Sequence, residues 1–322
     1  MRVCLLTDES IDDFNPSQYL RNYEWDYVTV ETPVQSLIRQ IAQNNQYEVY
    51  LNIYEGLDED ENSGLKFIET LEDLNLPFTG AGSKFYNPTR EEMQAVAEKN
   101  QINFARGFHA GSQADLWQAN ELSFPLIVKH PNSFASEGLT KDSRVTTLEE
   151  LQTEFEKISS TYGSACVEEF IEGRELSCLV LENADDQALP FTYPPAEVQF
   201  PDGETFLHED AKWYDWGVYV VPLHDDVLAR RIQDVSKKNF VAMAGTGYAR
   251  VDIRLRPDGE IVILEINPNC GILYSLEDRS HADLPISWDK DGHEGFLDRI
   301  FQSAIARQKM RTLQNKNPAY DL

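Results

Sequence analysis

Two strand-like runs, Arg250–Arg256 and Ile261–Asn267, flank Pro257-Asp258-Gly259-Glu260, and no other stretch restricts the fold of this chain as tightly. Asp-Gly between such runs is a strong hairpin signal, because a tight hairpin loop needs residues that accept positive φ. Taking Asp258-Gly259 as a two-residue loop pairs Val251 with Ile266, Ile253 with Leu264 and Leu255 with Val262, one wholly apolar face. The other face sets Asp252 against Glu265 and Arg250 against Asn267. Directly opposed side chains have Cβ atoms ~4.5–5.5 Å apart, where two like charges repel. The pair asks for a cation. Asn267 adds a neutral oxygen within diagonal reach of Asp252, and two carboxylates with an amide suit Mg²⁺, which takes hard oxygen ligands and keeps positions open. The residues alone leave a second reading open, in which Arg250 and Arg254 neutralise the acids as surface ion pairs.

The remainder of the chain bounds what such a hairpin can serve. With 28 basic against 55 acidic residues the formal charge is −27, which repels nucleic acid and anionic membranes. Any site for an anionic substrate must therefore gather its own cations. Four cysteines, at 4, 166, 178 and 270, show no metal-ligand spacing, and three sit in apolar runs that point to buried free thiols. The opening MRVCLLTDES turns acidic too soon for a signal peptide, and no apolar run approaches the ~20 residues that span a bilayer. A cytoplasmic protein is expected.

The chain reads as α/β (α+β). A strand at VCLL, a helix bearing Val34, Leu37, Ile38 and Ile41, a strand at Val49–Ile53 and a helix bearing Leu65, Ile68, Leu71 and Leu74 make a small α/β unit. Asn87-Pro88-Thr89 opens a helix to about Lys99, PLIVK forms a strand, and Thr147 with Glu150 forms a capping box. Strands at Ala165–Phe170 and Glu175–Leu181 flank a tight turn at Glu172-Gly173. Residues 182–224 read as irregular, a helix follows from about Asp226 to Ala244, and Phe296, Ile300 and Phe301 suit a C-terminal helix.

Four segments occur in a telling order: LPFTGAG, PLIVKHPNSFASEGL, VEEFIEGREL and RVDIRL…LEINPNCG. Together they resemble the ATP-grasp superfamily, specifically its D-alanine–D-alanine ligase-like branch, from about Val49 to Tyr274. The resemblance implies three lobes, residues 1–86, 87–172 and 173–322, with ATP between the central and C-terminal lobes. It implies that Arg90, Lys129 and Lys212 contact phosphate, and that Ser136 and Gly138 belong to a loop whose N–H groups close over the phosphates. Glu168, Glu169, Phe170 and Ile171 match the strip that reads adenine, Glu175 the ribose ligand, and Leu264 the bed beneath the base. Asp252, Glu265 and Asn267 match the ligands of Mg²⁺, with Mn²⁺ as an alternative. Arg250 and Gly271 match the groups that stabilise the tetrahedral intermediate.

The implied activity joins a small carboxylate to an amine, such as an amino acid, through an acyl phosphate, with ADP released. A homodimer is implied by the resemblance alone. The first-substrate positions depart from the family pattern: Asp13 is the nearest acid to an expected Glu, Ala135 replaces a Ser and Trp213 a Tyr. A substrate pair other than two D-alanines is therefore expected, with Asp13, Glu55, His208 and Trp213 as candidate contacts. Two further readings stay open: a catalytically silent ATP-binding protein, and a ligase acting on peptide or protein side chains.

Overall fold

The computed structural model describes residues 1–43, 47–56, 63–132, 136–209, 218–275, 277 and 280–316. The first sheet is parallel, in the order β2-β1-β3, from β1 (Arg2–Thr7), β2 (Glu24–Thr29) and β3 (Val49–Asn52). β1 is central and its VCLL run is fully buried, as a parallel strand covered on both faces requires. Helices α1 (Val34–Gln43) and α2 (Ser63–Asp73) set Val34, Ile38, Phe67, Ile68 and Leu71 against Cys4, Leu6 and Tyr50. β2 is not among the expected strands, although its sequence, EWDYVT, carries a strand signal: Trp25 and Tyr27 alternate with the acids Glu24 and Asp26. Asp26 accepts from Arg2 Nη2 and from the Tyr47 hydroxyl, each at 2.7 Å.

The second sheet is antiparallel, β4-β7-β5-β6, from β4 (Gly107–Ala110), β5 (Leu126–Lys129), β6 (Arg144–Val145) and β7 (Ala165–Glu169). Helix α3 (Arg90–Lys99) precedes it with a complete capping box between Thr89 and Glu92. Helix α4 (Leu148–Tyr162) packs on the sheet. Thr147 accepts from Glu150 N as expected, but the Glu150 carboxylate reaches one residue further back, to Thr146 N at 2.6 Å.

The third sheet has the order β11-β10-β8-β12-β13, with β9 added to β8. Its strands are β8 (Arg174–Leu181), β9 (Phe191–Thr192), β10 (Ala196–Gln199), β11 (Tyr219–Pro222), β12 (Tyr248–Leu255) and β13 (Ile261–Pro268). The described residues of 182–224 thus hold three short strands, which Pro and Asp interruptions hide from a period-two reading. Helix α5 (Asp226–Ala242) covers the back face, where Leu176, Cys178, Val180, Val251, Ile253, Leu255, Ile263 and Ile266 form one core.

The β12–β13 hairpin corrects the sequence reading in two places that cancel. Its loop has three residues, Pro257-Asp258-Gly259: Arg256 N donates to Glu260 O at 2.9 Å, and Gly259 takes φ +86°. Ile253 therefore faces Ile263 and Leu255 faces Ile261, not Leu264 and Val262. A bulge between Asp252 and Ile253 then absorbs Leu264 and restores Asp252 opposite Glu265, Val251 opposite Ile266 and Arg250 opposite Asn267. The extra residue shifts the face of everything nearer the loop. Ile263 enters the core, while Val262 and Leu264 turn to the other face, beside Ala105 and Ile171.

Helices α6 (Asp283–Trp288) and α7 (Gly292–Lys316) tie the first sheet to the third. Phe296, Leu297, Ile300 and Phe301 share one core with Leu5, Leu51, Leu179 and Tyr248. The LPFTGAG segment crosses at the start of β12, where Ala81 N donates to Asn269 Oδ1 at 2.7 Å and Gly82 N to Thr246 Oγ1 at 2.8 Å. Gly247 sits there with φ +67°, and a Cβ on it would lie 2.1 Å from Gly80 O. Gly247→Ala is expected to cost about 2–4 kcal/mol, from backbone strain and overlap together, read as a lower urea midpoint. All four cysteines are free and buried. Among the described residues no helix is long and apolar enough to cross a membrane.

Candidate active site

Alternation along β12 puts Val251, Ile253 and Leu255 in the core and leaves Arg250, Asp252 and Arg254 on the opposite face. Arg250 grips Asp252 with two bonds, Nε to Oδ1 at 2.6 Å and Nη2 to Oδ2 at 2.8 Å. Asn267 Nδ2 donates to Asp252 Oδ2 at 2.9 Å and to Glu265 Oε1 at 3.2 Å. One amide nitrogen thus lies between two carboxylates, at the point a shared cation would take. Turning the amide would present Oδ1 there instead. Among the described residues no group of three His, Cys, Asp or Glu could hold a metal, so this site offers two carboxylates and an amide. Such a hard-oxygen set, not a closed cage, fits Mg²⁺. Half of the ion-pair alternative is present alongside it: Arg250 pairs with Asp252, but Arg254 Nη2 goes to Glu175 of β8 at 2.7 Å, not to a hairpin acid.

The remaining cations arrive from α3 and β5. Arg90, the first residue of α3, reaches Glu265 Oε2 with Nη2 at 2.8 Å and stands 3.6 Å from Glu168 Oε1 through Nη1. Lys129, the last residue of β5, donates to Glu168 Oε2 at 2.7 Å. Burial pushes the Glu168 and Glu265 carboxyls up, but the facing cations outweigh it. Lys129 and Arg90 hold Glu168 below the usual carboxylate range, and Arg90 and Lys129 hold Glu265 down at about 2. Arg90 Nε and Nη1 are buried without a hydrogen-bond acceptor among the described residues. Buried guanidinium donors left without acceptors are costly, and a phosphate group has the oxygens to satisfy them.

The strip that follows differs in detail from the expectation. The Glu168 carboxylate is fully buried and turned to Lys129 and Arg90, so it serves as their counter-ion and does not offer a side chain to the edge of a base. Glu169 turns the other way, accepting from Ser123 N at 3.0 Å, and Phe170 N donates to Pro125 O at 2.9 Å. Ile171 joins Ala105, Val262 and Leu264 in a small apolar cluster. Burial pushes Glu175 up, with Arg254 opposing. Ser136 and Gly138 take φ of +62° and +70°. Ser136 Oγ donates to Leu207 O at 3.0 Å, and Gly138 N donates to Glu209 Oε2 at 3.0 Å, a carboxylate on a loop expected to hold phosphate.

The substrate candidates separate. His208 is 1% exposed, packs against Phe206 and hydrogen-bonds Glu204 at 3.1 Å, so it braces its own loop. Asp13 is exposed and accepts from Ser10 Oγ at 2.6 Å, so it caps a turn. Lys212, Trp213 and Ala135 lie outside the described residues. Glu55 is exposed; burial, with Glu55, Glu9, Asp283 and Asp8 nearby, pushes the Tyr274 hydroxyl up to about 12. The Tyr274 ring lies over Gly271, where a Cβ would come within 2.8 Å of it.

A comparison with known families gives this geometry its relatives. The family model described as D-ala D-ala ligase C-terminus matches residues 99–293. The chain belongs to the D-ala D-ala ligase C-terminus family. Its curated relatives in this family include D-alanine–D-alanine ligase A of Mesorhizobium japonicum, 29% identical over 60% of this chain and 52% of the relative. The vancomycin B-type resistance protein VanB of Enterococcus faecalis is 30% identical over 62% of this chain and 57% of its own. The matched region thus spans little more than half the length of these relatives. Among solved structures, the D-alanine–D-alanine ligase from Bacillus anthracis complexed with ATP superposes with a TM-score of 0.72 at 18% identity, over 96% of this chain and 98% of that one. At that identity the likeness establishes the ATP-grasp fold of the D-ala D-ala ligase C-terminus family and nothing finer.

Proposed function

We propose that the chain is an ATP- and magnesium-dependent ligase that joins a small carboxylate to an amine and releases ADP and phosphate. One observation carries the reading: Arg90 and Lys129 converge on the face of the hairpin where Asn267 lies between Asp252 and Glu265. On this reading Lys129 and Arg90 hold the phosphates, with the Arg90 donors that lack acceptors turned to use, and Lys212 joins them. Ile171 and Leu264 form the apolar bed of the base, the strip Glu168–Ile171 lines it, and Glu175 meets the ribose. Ser136 and Gly138 exchange their contacts with the 207–209 segment for phosphate oxygens. Asp252, Glu265 and Asn267 would hold Mg²⁺, or Mn²⁺ in its place, whose charge neutralises the phosphate oxygens when bound.

The reaction balances in two steps. The terminal phosphoryl group passes to a substrate carboxylate oxygen, giving an acyl phosphate and ADP. The amine nitrogen then bonds to the acyl carbon, loses a proton, and phosphate leaves. Asp252 engages Nε and Nη2 of Arg250 and leaves Nη1 to meet the oxyanion with the Gly271 N–H. Such a donor contributes ~3–4 kcal/mol in comparable sites. Positioning and charge do most of the work of phosphoryl transfer, so no lone general base is required. The lobes 1–86, 87–172 and 173–322 are proposed on the same footing, supported by one sheet in each.

The curated relatives named above include a D-alanine–D-alanine ligase. Asp13, Ala135 and Trp213 depart from the family pattern, and the exposed Asp13 supports a different pair of substrates. The test is an ADP-release assay with Mg²⁺ across D- and L-amino acids and small carboxylates. Release that requires both a carboxylate and an amine is expected. Tight ATP binding with no turnover for any pair would instead identify a silent nucleotide-binding protein.

A further inference from the structure

The turn that carries Gly271 is built from strained backbone. Asn269 and Leu273 take φ of +51° and +65°, the left-handed region that a branched side chain such as Leu rarely adopts. Residues held there persist only when their surroundings over-determine them. The surroundings come from the segment after the hairpin, whose residues play no part in the function described so far. Asp283, fully buried, accepts from Leu273 N at 2.7 Å through Oδ1 and from Tyr274 N at 3.1 Å through Oδ2. It thus receives the N–H groups of the strained residue and of its neighbour. Ser280 Oγ donates to Gly271 O at 2.6 Å and lies 3.1 Å from Asp283 Oδ2. His293 Nε2 lies 3.0 Å from Asp283 Oδ1. The His293 ring stacks on Tyr19 at 4.3 Å, and the Tyr19 hydroxyl donates to Tyr274 O at 2.9 Å. The turn is therefore held at Gly271, Leu273 and Tyr274, from the C-terminal segment and from the N-terminal lobe together.

We propose that Asp283 is a positioning residue for the ligase reaction, acting with Ser280 and His293 to hold the Gly271–Tyr274 turn where the Gly271 N–H meets the reacting carbonyl. The proposal rests on the ligase reading above. Asp283 touches no reacting atom. It fixes Leu273 and Tyr274, whose ring covers Gly271. The ATP-binding groups, Arg90, Lys129 and Glu265, are held by other partners and do not depend on it.

The test compares Asp283→Ala, Asp283→Asn and Ser280→Ala in the full chain. Asp283→Ala is expected to lower kcat by about a hundredfold, the effect of misplacing a reacting group by about 1 Å. The Kd for ATP should stay within about twofold of wild type, a split that general unfolding would not give. Asp283→Asn keeps one acceptor oxygen and should recover part of kcat, and Ser280→Ala should lose about tenfold. Independently of turnover, amide hydrogen exchange should rise in a peptide covering 269–274 and stay unchanged in one covering 250–256. Unchanged kcat in Asp283→Ala, or ATP binding lost in step with kcat, overturns the proposal. If the wild type turns over no substrate pair, the ligase reading fails, and unchanged exchange at 269–274 in Asp283→Ala then overturns the placement as well.

Discussion

Replacing Glu265 by alanine is expected to lower ADP release by about a thousandfold or more, with the far-ultraviolet circular dichroism unchanged. Three interactions meet at this carboxylate: the bond from Arg90 at 2.8 Å, the bond from Asn267 at 3.2 Å, and the opposition to Asp252 across the hairpin. Its removal takes one hard oxygen ligand from the pair that would hold the metal and lets Arg90 swing toward Glu168. The fold should survive, because the strand pairing and the core behind it rest on Val251, Ile253, Ile263 and Ile266. Turnover within tenfold of wild type would remove Glu265 from the metal site. Tight binding of ATP without Mg²⁺ in the variant would point the same way.

A second large effect is expected at Glu168, on stability. Its carboxylate is 0% exposed and faces Lys129 at 2.7 Å and Arg90 at 3.6 Å. Removing one partner of a buried pair leaves the other charge uncompensated, at about 3–5 kcal/mol. Glu168→Gln retains an acceptor oxygen, so a loss of about 3 kcal/mol is expected in nucleotide-free protein, read from urea unfolding at pH 7. The pH dependence has a definite sign. The folded carboxyl is held below its ordinary value, so it binds a proton less readily folded than unfolded. Its stabilisation is then complete above the usual Glu value of about 4.3 and is lost as pH falls through the folded value. The gap between wild type and variant should therefore narrow below about pH 4. A gap that stays constant or widens on acidification would mean that Glu168 is not the anion that neutralises Lys129.

Several elements are legible in the sequence for local reasons. VCLL, PLIVK and the helix caps at Thr89 and Thr147 are short-range patterns, and each forms where the pattern puts it. The strands β9 to β11 escape such a reading because they are short and broken by Pro and Asp. Their register comes from their neighbours, β8 for β9 and β10 and β10 for β11, not from their own alternation. Among the candidate site residues, Lys129, Arg90, Asp252, Glu265 and Asn267 meet as a group, since a strand end, a helix start and one hairpin deliver them. His208 and Asp13 each stand beside a loop, where the sequence carries no sign of which way a polar side chain points. His208 is buried against Phe206 and Glu204, whereas Asp13 caps Ser10.

The hairpin shows where the division lies. By itself the sequence determined that a hairpin turns at Asp258-Gly259 and sets its charged residues on one face of β12 and β13; the pairs Asp252–Glu265 and Arg250–Asn267 read from it are those of the sheet. Even there, the three-residue loop and the bulge at Leu264 compensated for each other, and only the folded sheet shows both. The tertiary structure alone decided that Arg90 answers Glu265, that Glu168 is spent on Lys129, and that Asp283 holds the Gly271 turn. Those partners are separated in sequence and brought together by packed cores, and no local periodicity records which distant side chain will arrive.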